Sequence, residues 1–284
     1  MSRRDPLPLP RNPLLAACRW SPVLMLHEVL PDGTHPLPPG AITRGTLRDI
    51  LLDFTNRGYA PGTLDDVLYG PPPGQKRVVL TFDDGTCDFL DHALPVLEEF
   101  RFSATLFIIA DLMGGWRTWA DPSGRFKLPE VPLMDAAEVR ELHRKGFVIG
   151  SHGLTHRPLT TLGSDEVRRE VVLSKQVLSE VVGHSVRWFA YPYVAADGRA
   201  KAIVREAGYD GACGGLDRVH EPYYLTRVDV ALFTLPQLRL RSNGLFCVAR
   251  QFVRSVRLLD APRRTLGRAM RAMRVARRAQ SATR

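Results

Sequence analysis

The chain has 284 residues, of which 44% are hydrophobic, and its formal net charge is +9. This length and composition allow one large buried core, and no run of about eighteen apolar residues predicts a transmembrane helix. No Cys-x-x-Cys pair occurs, which argues against a zinc ribbon or a disulfide framework and favours a reducing compartment. Residues 1–12 are polar, and no clear signal-peptide core or cleavage site follows them. We therefore expect a cytoplasmic protein.

The elements predicted along the chain alternate between strands and helices. Strands are predicted at residues 23–26, 77–82, 104–109, 147–150, 186–191, 211–213 and 225–230. Helices are predicted at residues 47–57, 89–99, 136–145 and 165–182, with a short one after Thr63 and with Asp135 and Ser164 as N-caps. Residues 69–75 and 112–132 are rich in glycine and proline and are predicted to be loops. Repeated β-α alternation predicts a parallel sheet, closed into a barrel over residues 20–240, with extensions at 1–19 and 241–284.

The positive charge is concentrated in residues 263–284, which contain no acidic residue. This tail interleaves apolar residues at roughly helical spacing with eight arginines: Arg263, Arg264, Arg268, Arg271, Arg274, Arg277, Arg278 and Arg284. Three interpretations stay open: a solvated tail, an amphipathic helix on an anionic membrane surface at the inner face of the membrane, or a contact with nucleic acid or a protein. The rest of the chain is nearly neutral, so we expect no nucleic-acid binding by the core.

Two short polar segments follow predicted strands and carry candidate metal ligands. Asp83 and Asp84 come directly after an apolar run, and His152 and His156 follow another. Two imidazoles and one carboxylate are the ligand set of a catalytic divalent metal with an open position, and a second carboxylate there suits a general base. Neighbouring strand residues face opposite ways, so both carboxylates can reach one site only beyond the regular strand, where Gly85 loosens the backbone.

The runs VVLTFDDG, GFVIGSHGLTH and WFAYPY, in this order, resemble the polysaccharide deacetylases of the NodB-homology type, in particular a subset with the FAYPY form. The resemblance covers about residues 20–232 and implies an irregular (β/α) barrel and metal-dependent removal of N-acetyl groups from amino sugars. It implies Asp83 as the catalytic base and Asp84, His152 and His156 as the metal ligands. By the same resemblance, the backbone N–H of Tyr193 would help to bind the oxyanion. Zn²⁺ is the favoured ion, although these ligands also suit Fe²⁺ and Co²⁺.

Two positions depart from the family pattern. Ala190 stands where many members have an arginine that orients the base, and Arg227 stands where a histidine usually supplies the general acid. An arginine stays protonated and is a poor proton donor. Its alternative roles are to bind an anionic group of the substrate or to pair with Asp83 or Asp229.

The general acid would then be another histidine. His27 and His220 are the remaining candidates, and we favour His27 because it ends a predicted barrel strand. Trp116 and Trp119, in the long loop, could stack on a sugar ring or fill a gap in the packing.

Three functional hypotheses follow. The first is an amidohydrolase acting on an N-acetylated, or alternatively N-formylated, sugar nucleotide or lipid-linked glycan in surface-polysaccharide synthesis. The second is a carbohydrate-binding relative with weakened turnover, which the arginine at position 227 would support. The third is a membrane-tethered or regulatory module whose function lies mainly in the basic tail.

Overall fold

The computed structural model describes residues 20–119, 128–215, 221–244 and 246. In these residues the helices are α1 (Arg44–Asn56), α2 (Leu64–Tyr69), α3 (Leu94–Phe100), α4 (Ala136–Arg144), α5 (Ser164–Val182), α6 (Gly198–Glu206) and α7 (Leu235–Arg241). The strands are β1 (Val23–Leu26), β2 (Val29–Leu30), β3 (Ile42–Thr43), β4 (Tyr59–Pro61), β5 (Lys76–Phe82), β6 (Thr105–Ile108), β7 (Val148–Ser151), β8 (Trp188–Ala190), β9 (Gly211–Cys213) and β10 (Val228–Asp229).

The main sheet is parallel in every pairing, in the order β10-β1-β5-β6-β7-β8-β9, and β4 adds to the first half of β5. Strands β1 and β6 are buried along their whole length, as expected of parallel strands with a core on both faces. The parallel sheet with flanking helices that the sequence predicts is therefore confirmed. Among the described helices, none is both long enough and apolar enough to cross a membrane.

The curled sheet is closed by one short segment. Leu225 pairs with Cys213 of β9, and three residues later Val228 pairs with Leu24 of β1. The strand predicted at residues 225–230 is thus only two residues long, preceded by a single pair at Leu225. Between these two pairs lie Thr226 and Arg227, and the arginine side chain faces into the barrel, where it forms the contacts described below.

Two core clusters surround the sheet. The larger one lies between the sheet and the outer helices. The smaller one takes residues from alternate positions of the strands, including Val79, Phe107 and Trp188, together with Leu64 and Leu68 of α2. Because strand side chains alternate, this cluster fills the inside of the barrel. The interior is therefore mainly apolar, and Arg227 enters it near the carboxyl ends of the strands, where it contacts Phe107 and Thr81.

Most predicted helices are confirmed with small shifts at their ends. Asp135 caps α4, since its Oδ1 accepts hydrogen bonds from the backbone N–H groups of Ala137 and Glu138, both at 2.8 Å. Ser164 is the first residue of α5 rather than its cap, and Gly163 occupies the cap position.

The predicted helix at 89–99 begins as a single π-helical turn, Phe89–Ala93, and continues as α3. Pro95, near the start of α3, has no N–H to donate to the preceding turn. The regular hydrogen-bond pattern cannot pass through it, so the two parts are wound differently.

Candidate metal and catalytic site

Three loops at the carboxyl edge of the sheet bring the predicted site residues together. Asp83 and Asp84 follow β5, His152 follows β7 with His156 four residues on, and Tyr193 lies in a short turn after β8. These strands are near neighbours in the sheet. Ligands gather at this edge in parallel α/β folds.

Asp84, His152 and His156 form a compact triad, with one ligand atom from each residue all within 4.8 Å of one another. Asp84 Oδ1 lies 3.5 Å from His152 Nε2 and 3.3 Å from His156 Nε2. Ligands about 2.0–2.2 Å from a tetrahedral metal ion would be separated by roughly 3.3 Å, so the spacing fits such an ion. All three residues are buried.

The protonation states of the triad also suit a metal. Burial lowers the pKa of His152 to about 4, so its ring is neutral at neutral pH. His152 Nδ1 lies 2.9 Å from the carbonyl oxygen of Ala190, to which it donates, and this leaves the Nε2 lone pair facing Asp84. Burial works to raise the pKa of Asp84, but its hydrogen bond with His156 and the other nearby histidine rings outweigh burial and hold that pKa below its usual value, so the carboxylate is ionised.

The backbone turns sharply to place these ligands. Asp84 has a φ of 74° and His156 a φ of 63°, both in the left-handed region. Such a φ is uncommon for a residue other than glycine. At Gly85, which also has a positive φ, an added Cβ would lie 2.9 Å from Ile108 Cδ1. The left-handed turn at Asp84 therefore removes the strand alternation, and both carboxylates can point to one site.

Asp83 is held by Arg227. The guanidinium donates from Nη1 to Asp83 Oδ1 at 2.6 Å and from Nη2 to Asp83 Oδ2 at 2.8 Å. It also donates to Thr81 Oγ1 at 3.1 Å and, from Nε, to the carbonyl of Gly214 at 3.0 Å. The Arg227 side chain is 0% exposed. Of the alternatives that the sequence left open, the structure shows the pairing with Asp83.

The charge of each partner in this pair depends on the other. Burial works to raise the pKa of Asp83, but the charge of Arg227 outweighs it and lowers that pKa below its usual value. Burial works to lower the pKa of Arg227, and the Asp83 carboxylate raises it above its usual value. Both groups are therefore ionised at neutral pH. Asp229 does not hydrogen-bond to Arg227, and its Oδ1 accepts instead from the N–H of Ala231.

His27 lies on the other side of Asp83. Its Nε2 is 4.0 Å from Asp83 Oδ2, and the same oxygen is 3.9 Å from His152 Nε2. The His27 side chain is 27% exposed, so it borders both the buried carboxylate and solvent. His220, the other candidate acid, lies outside the described residues.

Aromatic rings flank His156 where the site opens. The ring of Trp119 is 4.3 Å from the His156 ring and that of Tyr193 is 4.6 Å from it, measured between centroids. Trp116 is 57% exposed. Arg117, between the two tryptophans, forms a buried ion pair with Glu28 at 2.5 Å. This pair fixes the long loop to the residue that follows His27.

Comparison with known proteins identifies the chain. Residues 70–212, about half of the 284, match the sequence profile described as polysaccharide deacetylase. The chain belongs to the polysaccharide deacetylase family. The family consists of hydrolases that act on amide bonds, so the resemblance to the polysaccharide deacetylases stated from the sequence is confirmed at the level of the family.

Individual relatives match only part of the chain. It is 25% identical over 126 residues to a peptidoglycan-N-acetylglucosamine deacetylase of Bacillus cereus, a match covering 44% of this chain and 39% of that protein. It is 24% identical over 150 residues to a chitin deacetylase of Colletotrichum lindemuthianum, covering 53% and 50% respectively. The chain spans about half or less of the length of the curated relatives it matches.

A solved structure shares the fold of this polysaccharide deacetylase family member over most of its length. The structure of a de-N-acetylase from Aggregatibacter actinomycetemcomitans superposes with a TM-score of 0.65 at 18% identity, covering 77% of this chain and 98% of that one. This likeness supports the barrel architecture.

Two parts of the site have no counterpart in the sequence-based predictions. One is the Arg117–Glu28 pair, whose members are 89 residues apart and lie in no recognisable motif. The other is Glu170, a buried carboxylate on α5 that contacts the loop between the two histidines. Its signal in the sequence is an acidic residue on the face of α5 that also carries Val167 and Val171, where apolar residues are expected.

Proposed function

We propose that this protein is a metal-dependent deacetylase that hydrolyses the N-acetyl group of an amino sugar. The observation that carries the proposal is the Asp84-His152-His156 triad beside a separate carboxylate, Asp83, that a buried arginine holds in place. A metal-binding triad alone would also suit a structural site. A fixed, ionised carboxylate next to it is what hydrolysis requires.

Asp84, His152 and His156 would hold the ion, and Zn²⁺ is our choice because one carboxylate and two neutral imidazoles are common zinc ligands. A divalent ion bound there would supply Lewis acidity, which polarises a carbonyl and lowers the pKa of water from 15.7 to about 7. The remaining chemistry belongs to side chains and backbone of the chain.

Asp83 would act as the general base. Both of its oxygens accept from Arg227, so the carboxylate has a fixed orientation, and its lowered pKa keeps it deprotonated. In our proposal it takes the proton from the attacking water. The backbone N–H of Tyr193 would donate to the oxyanion that forms on the acetyl carbonyl, a contribution of about 3–4 kcal/mol in comparable sites.

His27 would act as the general acid. It is 4.0 Å from Asp83 and borders solvent, so it can protonate the leaving amine and exchange its proton with water afterwards. Arg227 would position Asp83 and would take no part in proton transfer. This division of roles leaves the family member with a complete set of groups despite the change of histidine to arginine.

The substrate we propose is an N-acetylated amino sugar in a glycan, a lipid-linked glycan or another sugar conjugate used in surface-polysaccharide synthesis. The named activities of the relatives on peptidoglycan N-acetylglucosamine and chitin support this class. We also propose a cytoplasmic location, with residues 263–284 making peripheral contact with the inner face of the membrane. These residues lie outside the described part of the chain, and their role rests on their charge pattern.

The test is acetate release from a panel of acetamido sugars, run with metal-loaded wild type and with Asp83→Asn. We expect the variant to keep its fold and its metal, to melt at a lower temperature because buried Arg227 loses its charged partner, and to lose most turnover. Matched formamido sugars in the panel distinguish a deformylase, which would release formate faster than acetate. Metal binding without turnover on any substrate would favour the carbohydrate-binding alternative, and wild-type turnover in Asp83→Asn would disprove the assignment of the base.

A further inference from the structure

The turn between the two histidines of the triad is attached to helix α5 by one carboxylate. Glu170 Oε2 accepts hydrogen bonds from the N–H groups of Leu154 and Thr155, both at 2.9 Å, and Glu170 Oε1 accepts from Thr155 Oγ1. Glu170 is 4% exposed. A buried carboxylate is unfavourable unless it is hydrogen-bonded, and successive backbone N–H groups are a common way to bind an anion. Here the anion is a side chain of the protein itself.

A second polar residue on the same face of α5 extends this attachment. Ser174, one helical turn after Glu170, accepts from Ser151 Oγ at 2.8 Å, and Ser151 Oγ accepts from the N–H of Gly153 at 3.2 Å. Three consecutive amides, at residues 153–155, are therefore satisfied through side chains that contact α5. The other buried positions on this helix face are apolar, and Glu170 is the one whose side-chain hydrogen bonds all go to the loop, whereas Ser174 also donates to the carbonyl of Val171.

The opposite side of the turn is fixed by backbone contacts. The carbonyls of Gly153 and Leu154 accept from the N–H groups of Ala110 and Asp111, at 3.1 and 2.9 Å. The turn is thus held from both sides between its two ligand positions. His156 has a φ of 63°, and a left-handed residue costs roughly 1–2 kcal/mol, so without its attachments the turn would relax to another conformation.

We propose that Glu170 is a positioning residue for the metal centre, which it serves by fixing the turn so that His152 and His156 face Asp84 together. The inference rests on the metal centre of the proposed function. Metal ligands are generally oriented by hydrogen bonds from residues that do not touch the metal, and here α5 would supply such a residue. Mutation of such residues weakens metal binding by about 10–100-fold in comparable sites.

The test compares two substitutions of nearly equal size in the full chain. Glu170→Met fills the same space and removes every acceptor, whereas Glu170→Gln keeps an oxygen for the two amides. We expect Zn²⁺ affinity, measured by competition with a chromophoric chelator, to fall about 10–100-fold in Glu170→Met and to be largely restored in Glu170→Gln. The visible spectrum of bound Co²⁺ should change in Glu170→Met as well. Glu180→Met, at an exposed position of the same helix, is the matched control and should bind Zn²⁺ as the wild type does.

Unchanged Zn²⁺ affinity in Glu170→Met would overturn the inference, even if the metal-free protein were less stable. His156→Ala separates this failure from failure of the metal centre: full Zn²⁺ binding in His156→Ala would disprove the centre itself. If Glu170→Met does not fold, Thr155→Val removes only the hydroxyl hydrogen bond to Glu170. A severalfold loss of Zn²⁺ affinity in that variant would support the inference, and wild-type affinity would overturn it.

Discussion

Replacing Arg227 by lysine tests whether this side chain orients Asp83 or binds substrate. Arg227 donates four hydrogen bonds, two of them as a fork onto Asp83. Lysine keeps the charge but cannot form the fork. Each hydrogen bond to a charged group contributes about 1.5–3 kcal/mol, so we expect Arg227→Lys to lower the free energy of unfolding by about 2–4 kcal/mol. Arg227→Met leaves Asp83 buried without a partner and should cost about 3–5 kcal/mol.

The kinetic effect of Arg227→Lys follows from burial of the guanidinium. With the arginine side chain 0% exposed, a substrate cannot reach it, so KM should stay unchanged for both neutral and anionic sugars. Asp83 loses its fixed orientation, and displacement of a reacting group by about 1 Å costs about a hundredfold in rate. We therefore expect kcat to fall by about tenfold to a hundredfold on both kinds of substrate.

Urea unfolding and steady-state kinetics measure the two effects. A double-mutant cycle with Asp83→Asn and Arg227→Met isolates the pair, and the double variant should be more stable than the sum of the single losses predicts. A rise in KM confined to anionic substrates would show that Arg227 binds substrate. An unfolding midpoint and a kcat equal to those of the wild type in Arg227→Lys would refute the whole argument.

Three further predictions concern the metal, pH and the tail. The double variant His152→Ala, His156→Ala should lose most bound metal in elemental analysis, because it leaves only one ligand; full occupancy would contradict the triad. Burial raises the pKa of the Asp88 carboxyl from the ordinary 3.8 to about 6, so the folded state loses stability as pH rises from about 4 to about 6, and the loss is complete above that pH. The free energy of unfolding of Asp88→Asn, measured in urea, should therefore rise by about 3 kcal/mol relative to that of the wild type between pH 4 and pH 7. If the two free energies changed with pH in parallel, this prediction would be wrong. Deletion of residues 262–284 should abolish pelleting with anionic liposomes, and pelleting that persists would exclude the tail as the contact.

The sequence predicts the long elements well because their signals are local. Strand β5 is marked by a continuous apolar run within the strand itself. Helix α4 is marked by its N-cap residue and by the glycine that follows it. Both elements form as expected. The helices α6 and α7 and the short strands β2, β3 and β4 were not predicted. Each of these strands has only two or three residues and is defined by its pairing partner, which a local pattern cannot show.

The candidate site divides in the same way. The metal triad could be proposed from a histidine pair and a carboxylate after strands, since all parallel strands end at one edge. The sequence could not decide whether Arg227 pairs with Asp83, pairs with Asp229 or binds the substrate. Arg227 is 144 residues from Asp83 in the chain, and the two meet only because the barrel closes. Glu170 was missed for a related reason: its role depends on which loop packs against α5.

The backbone of the site gives a physical reason for these contacts between distant residues. In the described part of the chain, five residues other than glycine have a positive φ, and four of them lie in the site loops: Asp84, His156, Tyr193 and Val194. The fifth, Arg101, ends helix α3 in an ordinary left-handed cap. Such conformations cost roughly 1–3 kcal/mol each and persist only where surrounding structure enforces them. Regular strands would point neighbouring side chains to opposite faces, so convergence of ligands and base on one site requires these turns. The buried pair at Asp83 adjoins the turn at Asp84, and the attachment to Glu170 adjoins the turn at His156, so these two contacts oppose relaxation of those two turns. Strain and support are therefore concentrated in the same loops, where we place catalysis.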